Sequence, residues 1–73
     1  MSTFAERIKE LRLERKMTQE ALGKVIGVTN FAVYSYEKGR IFPDMKGLVA
    51  LADFFDVSMD YLAGRTDKRE VNR

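Results

Sequence analysis

The chain has 73 residues, of which 45% are apolar, so it is long and apolar enough for one small folded domain and too apolar for a disordered chain. It contains no cysteine and no histidine, which excludes disulfides, cysteine zinc sites and histidine-based catalysis. The net charge is only +2, but residues 1–40 hold eight Lys and Arg against five Glu, whereas residues 41–64 hold one Lys against four Asp. The basic excess in the first half suits a surface that faces phosphate groups.

The sequence predicts neither a membrane protein nor a secreted one. No apolar run approaches the roughly 18 residues that a membrane-spanning helix requires. The N-terminal stretch MSTFAERIKE becomes charged almost at once and lacks the apolar region of a signal peptide. We therefore expect a cytoplasmic protein, with no cofactor and no metal.

The first predicted helix covers about residues 4–15. Phe4, Ile8 and Leu11 recur at the i, i+4 and i+7 spacing of a single helix face. Thr3 and Glu6 have the spacing of a capping box, in which each side chain accepts a hydrogen bond from the other residue's backbone amide. The pattern predicts an amphipathic helix with a defined start.

The second and third helices are separated by a tight turn. The second helix begins after Thr18 as its N-cap, and Gly27 follows it where the chain must turn with a positive φ. The third helix covers about residues 30–38, with Thr29 as its N-cap and Gly39 at its end. Two short helices joined in this way form a helix-turn-helix, whose second helix can enter the major groove of DNA.

The side chains of these two helices divide into inner and outer sets. We expect the second helix to bury Ala21, Leu22, Val25 and Ile26. In the third helix, Val33 and Tyr36 are expected to point inward. The opposite side of the third helix is expected to present Asn30, Phe31, Tyr34, Ser35 and Lys38.

Two further helices complete the predicted domain. Asp44 caps a fourth helix over about residues 45–55, and Ser58 caps a short fifth helix that ends before Gly64. The expected inner face of the fourth helix consists of Met45, Leu48, Leu51, Ala52 and Phe55. No strand pattern is present, so the fold class is all-α. Residues 1–64 form the domain, and residues 65–73 form a polar C-terminal tail that we expect to fray.

Several short motifs, taken in their order, resemble the Cro/Xre-type helix-turn-helix family. They are Thr18-Gln19-Glu20, Gly27-Val28-Thr29, Glu37-Lys38-Gly39, Pro43 and Val57-Ser58-Met59-Asp60-Tyr61-Leu62. The resemblance covers about residues 4–64. It implies a compact, five-helix, lambda-repressor-like DNA-binding domain that usually acts as a homodimer on an inverted repeat.

The resemblance also implies which residues contact DNA. Asn30, Phe31 and Ser35 match base-reading positions, where Asn can bond adenine and an aromatic ring can contact a thymine methyl group. Phe31 departs from the polar residue that is usual at its position, so packing of its ring against the protein is the alternative. Gln19, Lys38 and Arg40 match positions that face phosphate. The implied DNA-binding set is Gln19, Thr29, Asn30, Phe31, Tyr34, Ser35, Lys38 and Arg40.

Arg12 and Glu37 match positions that the family uses for a structural ion pair. In the family, this pair is partly buried and ties the first helix to the recognition helix. The alternative is that both side chains are solvated.

Surplus apolar residues near the fourth and fifth helices predict self-association. The core positions of these helices are already filled, yet Val49, Phe54 and Tyr61 are also apolar or aromatic, and Ile41 and Phe42 add apolar bulk in the loop before Pro43. Contiguous exposed apolar surface usually marks an interface, so we expect a homodimer built around Phe54, Val57 and Tyr61. The alternative is that Phe54 and Tyr61 cover the domain's own edge.

Taken together, the sequence predicts a sequence-specific DNA-binding transcriptional regulator. Its simplest form is a repressor that binds an inverted-repeat operator in double-stranded DNA as a homodimer. The alternative is a protein-interaction module with the same fold, such as an antitoxin or a partner that sequesters a regulator. No enzyme is expected, because without His, Cys or a Gly-rich phosphate loop no catalytic constellation can be assembled.

Overall fold

The computed structural model describes residues 3–71, so residues 72 and 73 of the predicted tail lie outside the described part of the chain. Within residues 3–71 the fold is all-α, as predicted, and no helix is long and apolar enough to cross a membrane. Five helices follow one another: α1 (Phe4–Glu14), α2 (Gln19–Ile26), α3 (Asn30–Glu37), α4 (Met45–Phe55) and α5 (Met59–Leu62).

Each helix begins at a side chain that caps a backbone amide of its first turn. Thr3 and Glu6 form the predicted capping box, because the Thr3 hydroxyl accepts from the Glu6 N–H and the Glu6 carboxylate accepts from the Thr3 N–H. The other four caps, which the sequence also predicted, accept from the amide three residues later at 2.8–3.1 Å: Thr18, Thr29, Asp44 and Ser58. Since the first amides of a helix have no partner within the helix, these caps define where each one starts.

All five helices contribute to one core. Each supplies one side chain that is fully shielded from solvent: Ile8, Leu22, Val33, Leu51 and Leu62. Phe4 meets Tyr36 edge to face with ring centroids 6.0 Å apart, which joins the start of α1 to α3. Burial of each such side chain contributes about 1.5–3 kcal/mol, so the core holds the helix-turn-helix in a fixed position on α1 and α4.

Two residues that the sequence placed in the core are exposed instead. Val25 of α2 lies on the surface because the buried face of this helix is formed by Leu22 and Gly23. Gly23 is in close contact with the chain at Val28. Met45 is 66% exposed. It is the first residue of α4, and because helical side chains lean toward the N-terminus its side chain lies at the open end of the helix.

The C-terminal segment, residues 65–71, is packed against the domain, although the sequence predicted that it would fray. The Ser58 N–H donates to the carbonyl of Arg69 at 2.9 Å, and the Arg7 guanidinium donates to the Thr66 carbonyl and to the Asp67 carboxylate. The expectation was wrong because it considered only the polar composition of these residues, whereas arginine side chains give them specific partners on α1.

Candidate nucleic-acid interface

The turn between α2 and α3 fixes the position of the helix-turn-helix. Gly27 ends α2 in the left-handed conformation with φ of 78°, as predicted, and the Val28 N–H donates to the Gly23 carbonyl at 2.8 Å. A Cβ atom on Gly23 would lie 2.6 Å from the Val28 carbonyl oxygen, closer than a side chain can approach. Gly23 therefore lets the chain before α3 pass directly against α2, a role that helical periodicity alone does not reveal.

The first turn of α3 presents Asn30 and Phe31 to solvent. Phe31 is 67% exposed, so its ring does not pack into the domain. It lies beside Tyr34, with ring centroids 6.2 Å apart and an angle of 27° between the ring planes. The exposed side of α3 thus combines an amide that can form two hydrogen bonds with a stacked aromatic pair.

Ser35 does not share this exposed side. Ser35 is only 3% exposed, so the expectation that it lies on the outer face of α3 is wrong. The reason is that α3 packs against both α1 and α2, and the chain after α3 folds back so that the Arg40 N–H donates to the Ser35 carbonyl at 3.0 Å. A short side chain between these contacts is not presented to a partner in this conformation.

Two cations continue the same surface at the other end of α3. The Lys38 Nζ lies 5.6 Å from the centre of the Tyr34 ring, and the Arg40 guanidinium carbon lies 5.9 Å from it. Both residues are exposed. A cation near a helix C-terminus is stabilised by the helix dipole by about 0.3–1 kcal/mol, and this role is compatible with a phosphate contact.

Arg12, Gln19 and Glu37 meet beneath the exposed face of α3. The Arg12 guanidinium donates to both carboxylate oxygens of Glu37 at 2.6 and 3.0 Å, and to the Met17 carbonyl at 2.6 Å. The Gln19 amide donates to the same carboxylate at 3.2 Å. The two charged side chains are 10% and 4% exposed, so this bridge ties α1, the start of α2 and the end of α3 together away from water.

The amide of Gln19 retains capacity for a second contact. An amide NH₂ group has two donor hydrogens, and the bond to Glu37 engages one of them. Because Gln19 is only half-buried and lies in the first turn of α2, the bridge to Glu37 leaves its side chain able to meet a phosphate as well.

The three residues predicted to form a dimer interface are largely covered within the chain. Val57 and Tyr61 are buried, and two guanidinium groups lie over the Tyr61 ring, with the central carbon of Arg7 at 4.1 Å and that of Arg69 at 5.3 Å from the ring centre. Phe54 is partly buried against the core, and the Arg15 guanidinium lies over its ring. The expectation that Tyr61 adds exposed surface is therefore wrong, and Val57, named as a corner of the proposed interface, is buried as well.

Exposed apolar surface lies instead at the start of α4 and in the loop before it. The residues concerned are Ile41, Phe42, Met45 and Val49. Phe42 packs one side of its ring on Phe4, with centroids 4.7 Å apart, and leaves the rest in solvent. The sequence had indicated Val49 as surplus apolar surface and Ile41 and Phe42 as contributors, but Met45 had been expected in the core.

A helix-turn-helix family model matches residues 8–62 of the chain. The HTH-type transcriptional regulator YqaE of Bacillus subtilis is 39% identical over 59 residues, which cover 81% of this chain and 51% of YqaE. Repressor protein C2 of Salmonella phage P22 is 40% identical over 59 residues, which cover 81% of this chain and 27% of the repressor. The chain thus matches about half the length of YqaE and a smaller part of the phage repressor.

Solved structures of two related proteins have the same fold. The crystal structure of the P22 c2 repressor in complex with a synthetic operator has a TM-score of 0.85 and 35% identity, and the match covers 90% of this chain and 100% of the repressor chain. The restriction-modification controller protein C.AhdI from Aeromonas hydrophila has a TM-score of 0.73 and 27% identity, over 81% of this chain and 89% of the controller.

Proposed function

This chain belongs to the Cro/Xre-type helix-turn-helix family, and from this premise we propose that it is a sequence-specific DNA-binding transcriptional regulator, in the simplest case a repressor. The observation that carries the proposal is one continuous surface: Asn30 and Phe31 are exposed at the start of α3, Tyr34 is half-exposed beside them, and the exposed cations Lys38 and Arg40 follow the end of the helix. The operator complex of the P22 c2 repressor, which shares this fold, supports double-stranded DNA as the partner. No enzymatic activity is proposed.

The base-reading part of the surface is the first turn of α3. In a helix-turn-helix, the N-terminal residues of the second helix contact base edges in the major groove. Asn30 can donate to and accept from an adenine, and the exposed ring of Phe31 can contact a thymine methyl group. Ser35, being buried, is not included among the base readers.

The remaining contacts are proposed to be with the phosphate backbone. Lys38 and Arg40 supply the positive charges, Tyr34 and Thr29 can each offer a hydroxyl, and Gln19 can offer its second N–H. Such contacts position the helix on the duplex without reading sequence. The bridge from Gln19 to Glu37 supports a further role for Gln19, since it links a proposed phosphate contact to the recognition helix.

A salt titration on random duplex DNA tests the proposal and separates it from the protein-interaction alternative. Phosphate contacts make affinity fall with salt, and Lys38→Ala and Arg40→Ala should each reduce the slope of log affinity against log salt by about one unit. Lys68→Ala, which removes one positive charge from the exposed C-terminal segment, is the matched control and should leave the slope unchanged. Absence of salt-dependent binding in the native chain would favour the protein-interaction module.

We further propose that the regulator is a homodimer on an inverted repeat. Two-fold pairing can place two recognition helices about 34–36 Å apart, which is one turn of DNA. Because Val57 and Tyr61 are covered, the proposed interface is the exposed side of α4, where Met45 and Val49 lie one turn apart. Ile41 and Phe42 extend this apolar surface from the preceding loop.

The charges on α4 are suited to pairing with a second copy. Lys46 and Asp53 are exposed, two helical turns apart, and neither forms an ion pair with another residue in the range 3–71. If two α4 helices pack antiparallel about a two-fold axis near Val49, Lys46 of each copy lies beside Asp53 of the other. Such reciprocal contacts are what a two-fold interface requires.

A further inference from the structure

Two arginines join the C-terminal segment to α1: Arg7 reaches from α1 to the segment, and Arg69 reaches from the segment to α1. Arg7, on α1, has a side chain that is only 4% exposed. Its guanidinium donates to the carbonyls of Tyr61 and Thr66 and, at 2.8 Å, to the carboxylate of Asp67. The Arg7 Nε has no hydrogen-bond partner among the described residues, so this buried cation depends strongly on the acceptors around its other two nitrogens.

Arg69 makes the reciprocal connection from the C-terminal segment back to α1. Its guanidinium donates to the Glu10 carboxylate at 2.8 Å and to the two Glu14 carboxylate oxygens at 2.6 and 2.9 Å. Its Nε donates to the Tyr61 hydroxyl at 3.1 Å. The hydrogen bond from Arg69 holds the pKa of the Glu14 carboxyl below its usual value.

The backbone of the same segment completes the start of α5. The Ser58 N–H, which precedes the first turn of this helix, donates to the Arg69 carbonyl at 2.9 Å. The Arg7 and Arg69 side chains and this backbone bond all converge on Tyr61 and its helix. The segment therefore packs as a structural unit, although the helix-turn-helix family match ends at residue 62.

We propose that the C-terminal segment is a salt-sensitive clasp, which closes over α1 and α5 and opens as a unit while the helical core stays folded. Three ion pairs help to close it, and apart from Arg7 their groups are in contact with water: the Asp67 side chain is 93% exposed, and those of Arg69, Glu10 and Glu14 are 41%, 53% and 44% exposed. Salt weakens such pairs, whereas it does not weaken the apolar packing of the core. Units with few apolar contacts are those that open locally.

The clasp determines the path of residues 65–71. When it is closed, these residues lie along α1 and cover the Tyr61 ring. When it is open, they extend from α5 as free chain, and Arg7 loses two of its acceptors. The buried Arg7 opposes opening, and the exposed pairs of Arg69 set the ionic strength at which opening occurs.

Amide hydrogen exchange of the full chain, followed by NMR, tests the proposal at the Ser58 N–H. In Arg69→Gln, we expect this amide to exchange about tenfold faster than in the native chain, because two exposed ion pairs are lost. The Leu62 N–H, which donates within α5 to the Ser58 carbonyl, should exchange at its native rate. Raising the salt concentration from about 0.05 to 0.5 M should accelerate exchange of the Ser58 amide in the native chain.

Matched variants distinguish a clasp from a general loss of stability. Lys68→Gln removes a neighbouring positive charge whose side chain makes no ion pair in the described range, and it should leave Ser58 exchange unchanged. Glu10→Gln combined with Glu14→Gln should accelerate Ser58 exchange in the same direction but less than Arg69→Gln, because it keeps the bond from Arg69 to the Tyr61 hydroxyl. The triple variant should exchange like Arg69→Gln alone, since without Arg69 the two glutamates have no partner left to lose. Equal acceleration at Ser58 and Leu62, equal effects of the Arg69 and Lys68 changes, or an unprotected Ser58 amide in the native chain would each overturn the proposal.

Discussion

Asn30 and Phe31 are neighbours on α3 that offer different chemistry to a partner. The Asn30 amide provides a donor and an acceptor in one plane, which match the adenine edge in the major groove. The Phe31 ring provides only apolar contact and no hydrogen bond. A site read by this pair should therefore depend on hydrogen-bonding groups at one base pair and on a methyl group at another.

We expect Asn30→Ala to relax specificity at a single base pair. Loss of a bidentate contact weakens binding to sites with the preferred base by about 1–3 kcal/mol and changes binding to sites with other bases little. Binding to a set of duplexes that differ at one base pair each measures this change. Glu20→Ala, an exposed substitution on α2, is the control and should leave the order of affinities intact. An unchanged order of affinities in Asn30→Ala would show that this residue does not read bases.

Within α3, sequence reasoning succeeded for the inward-facing residues and failed for Ser35. Val33 and Tyr36 are buried as their spacing predicts, because α3 has an apolar side. The position of Ser35 depends on two further contacts, the packing of α3 on both α1 and α2 and the return of the chain at Arg40. Neither contact is encoded in the periodicity of α3, so the burial of a small polar residue there could not be read from the sequence.

The bridge between Arg12 and Glu37 acts at the scale of whole helices, because it joins α1 to α3. We expect Glu37→Gln to lower the free energy of unfolding by about 3 kcal/mol, since it leaves the buried Arg12 without a compensating charge. The urea midpoint measures the change. Glu20→Gln is the control, because Glu20 and Lys24 form an exposed pair at 3.4 Å, worth no more than about 0.5 kcal/mol. Equal midpoints for the native chain and Glu37→Gln would contradict a buried bridge.

For Gly23→Ala, helix propensity and packing predict opposite changes in stability. In an isolated helix, Gly→Ala is stabilising by about 1 kcal/mol. Here the added Cβ would lie 2.6 Å from the Val28 carbonyl oxygen and 3.1 Å from the Thr29 carbonyl carbon. Overpacking of this kind costs about 1–3 kcal/mol, so we expect Gly23→Ala to lower the thermal midpoint. Lys24→Ala, at the exposed next position, should change the midpoint little, and a higher midpoint for Gly23→Ala would refute the close contact.

The helices themselves were predictable because their starts are local. A Thr, Asp or Ser side chain caps an amide three residues away, so the sequence around each N-cap is sufficient. The closeness of Gly23 to Val28 involves a turn of the chain as well as a helix, and it was not predicted. The exposure of Val25 follows from the same contact, since the approach at Gly23 rotates the packed face of α2 away from Val25.

At the scale of the whole molecule, the proposed two-fold pairing of α4 predicts a reciprocal response to charge reversal. Lys46→Asp places two acidic groups together at each end of the interface, and Asp53→Lys places two basic groups together. Each single change should weaken the dimer, and the double variant should restore it, because the pairing is reversed but complementary. Sedimentation measures the dissociation constant of each variant.

The control for this prediction is Lys68→Asp, which changes the net charge as much as Lys46→Asp but lies in the C-terminal segment. It should dimerise like the native chain. A native chain that stays monomeric, or single variants that dimerise as tightly as the native chain, would rule out the α4 interface. Binding of the monomer to a single half-site would leave the DNA-binding function standing.

The molecular surface was less predictable from sequence than the fold. The apolar character of Val57 and Tyr61 is visible in the sequence, but the groups that shield these two side chains from solvent are not. Arg7 and Arg69 are more than 60 residues apart, and only the folded chain brings both of them to the Tyr61 ring. The C-terminal segment, which was expected to fray, therefore helps to bury Tyr61, which was expected to form part of a dimer interface.

Selection of bound sites from a pool of random duplex DNA tests the central claim, that the exposed side of α3 reads DNA sequence. We expect the native chain to enrich an inverted repeat whose half-sites lie about one helical turn, 10–10.5 base pairs, apart. An adenine should recur at the position read by Asn30, and a thymine should recur beside it for Phe31. Recovery of a pool with no sequence enriched over the starting material would contradict the claim.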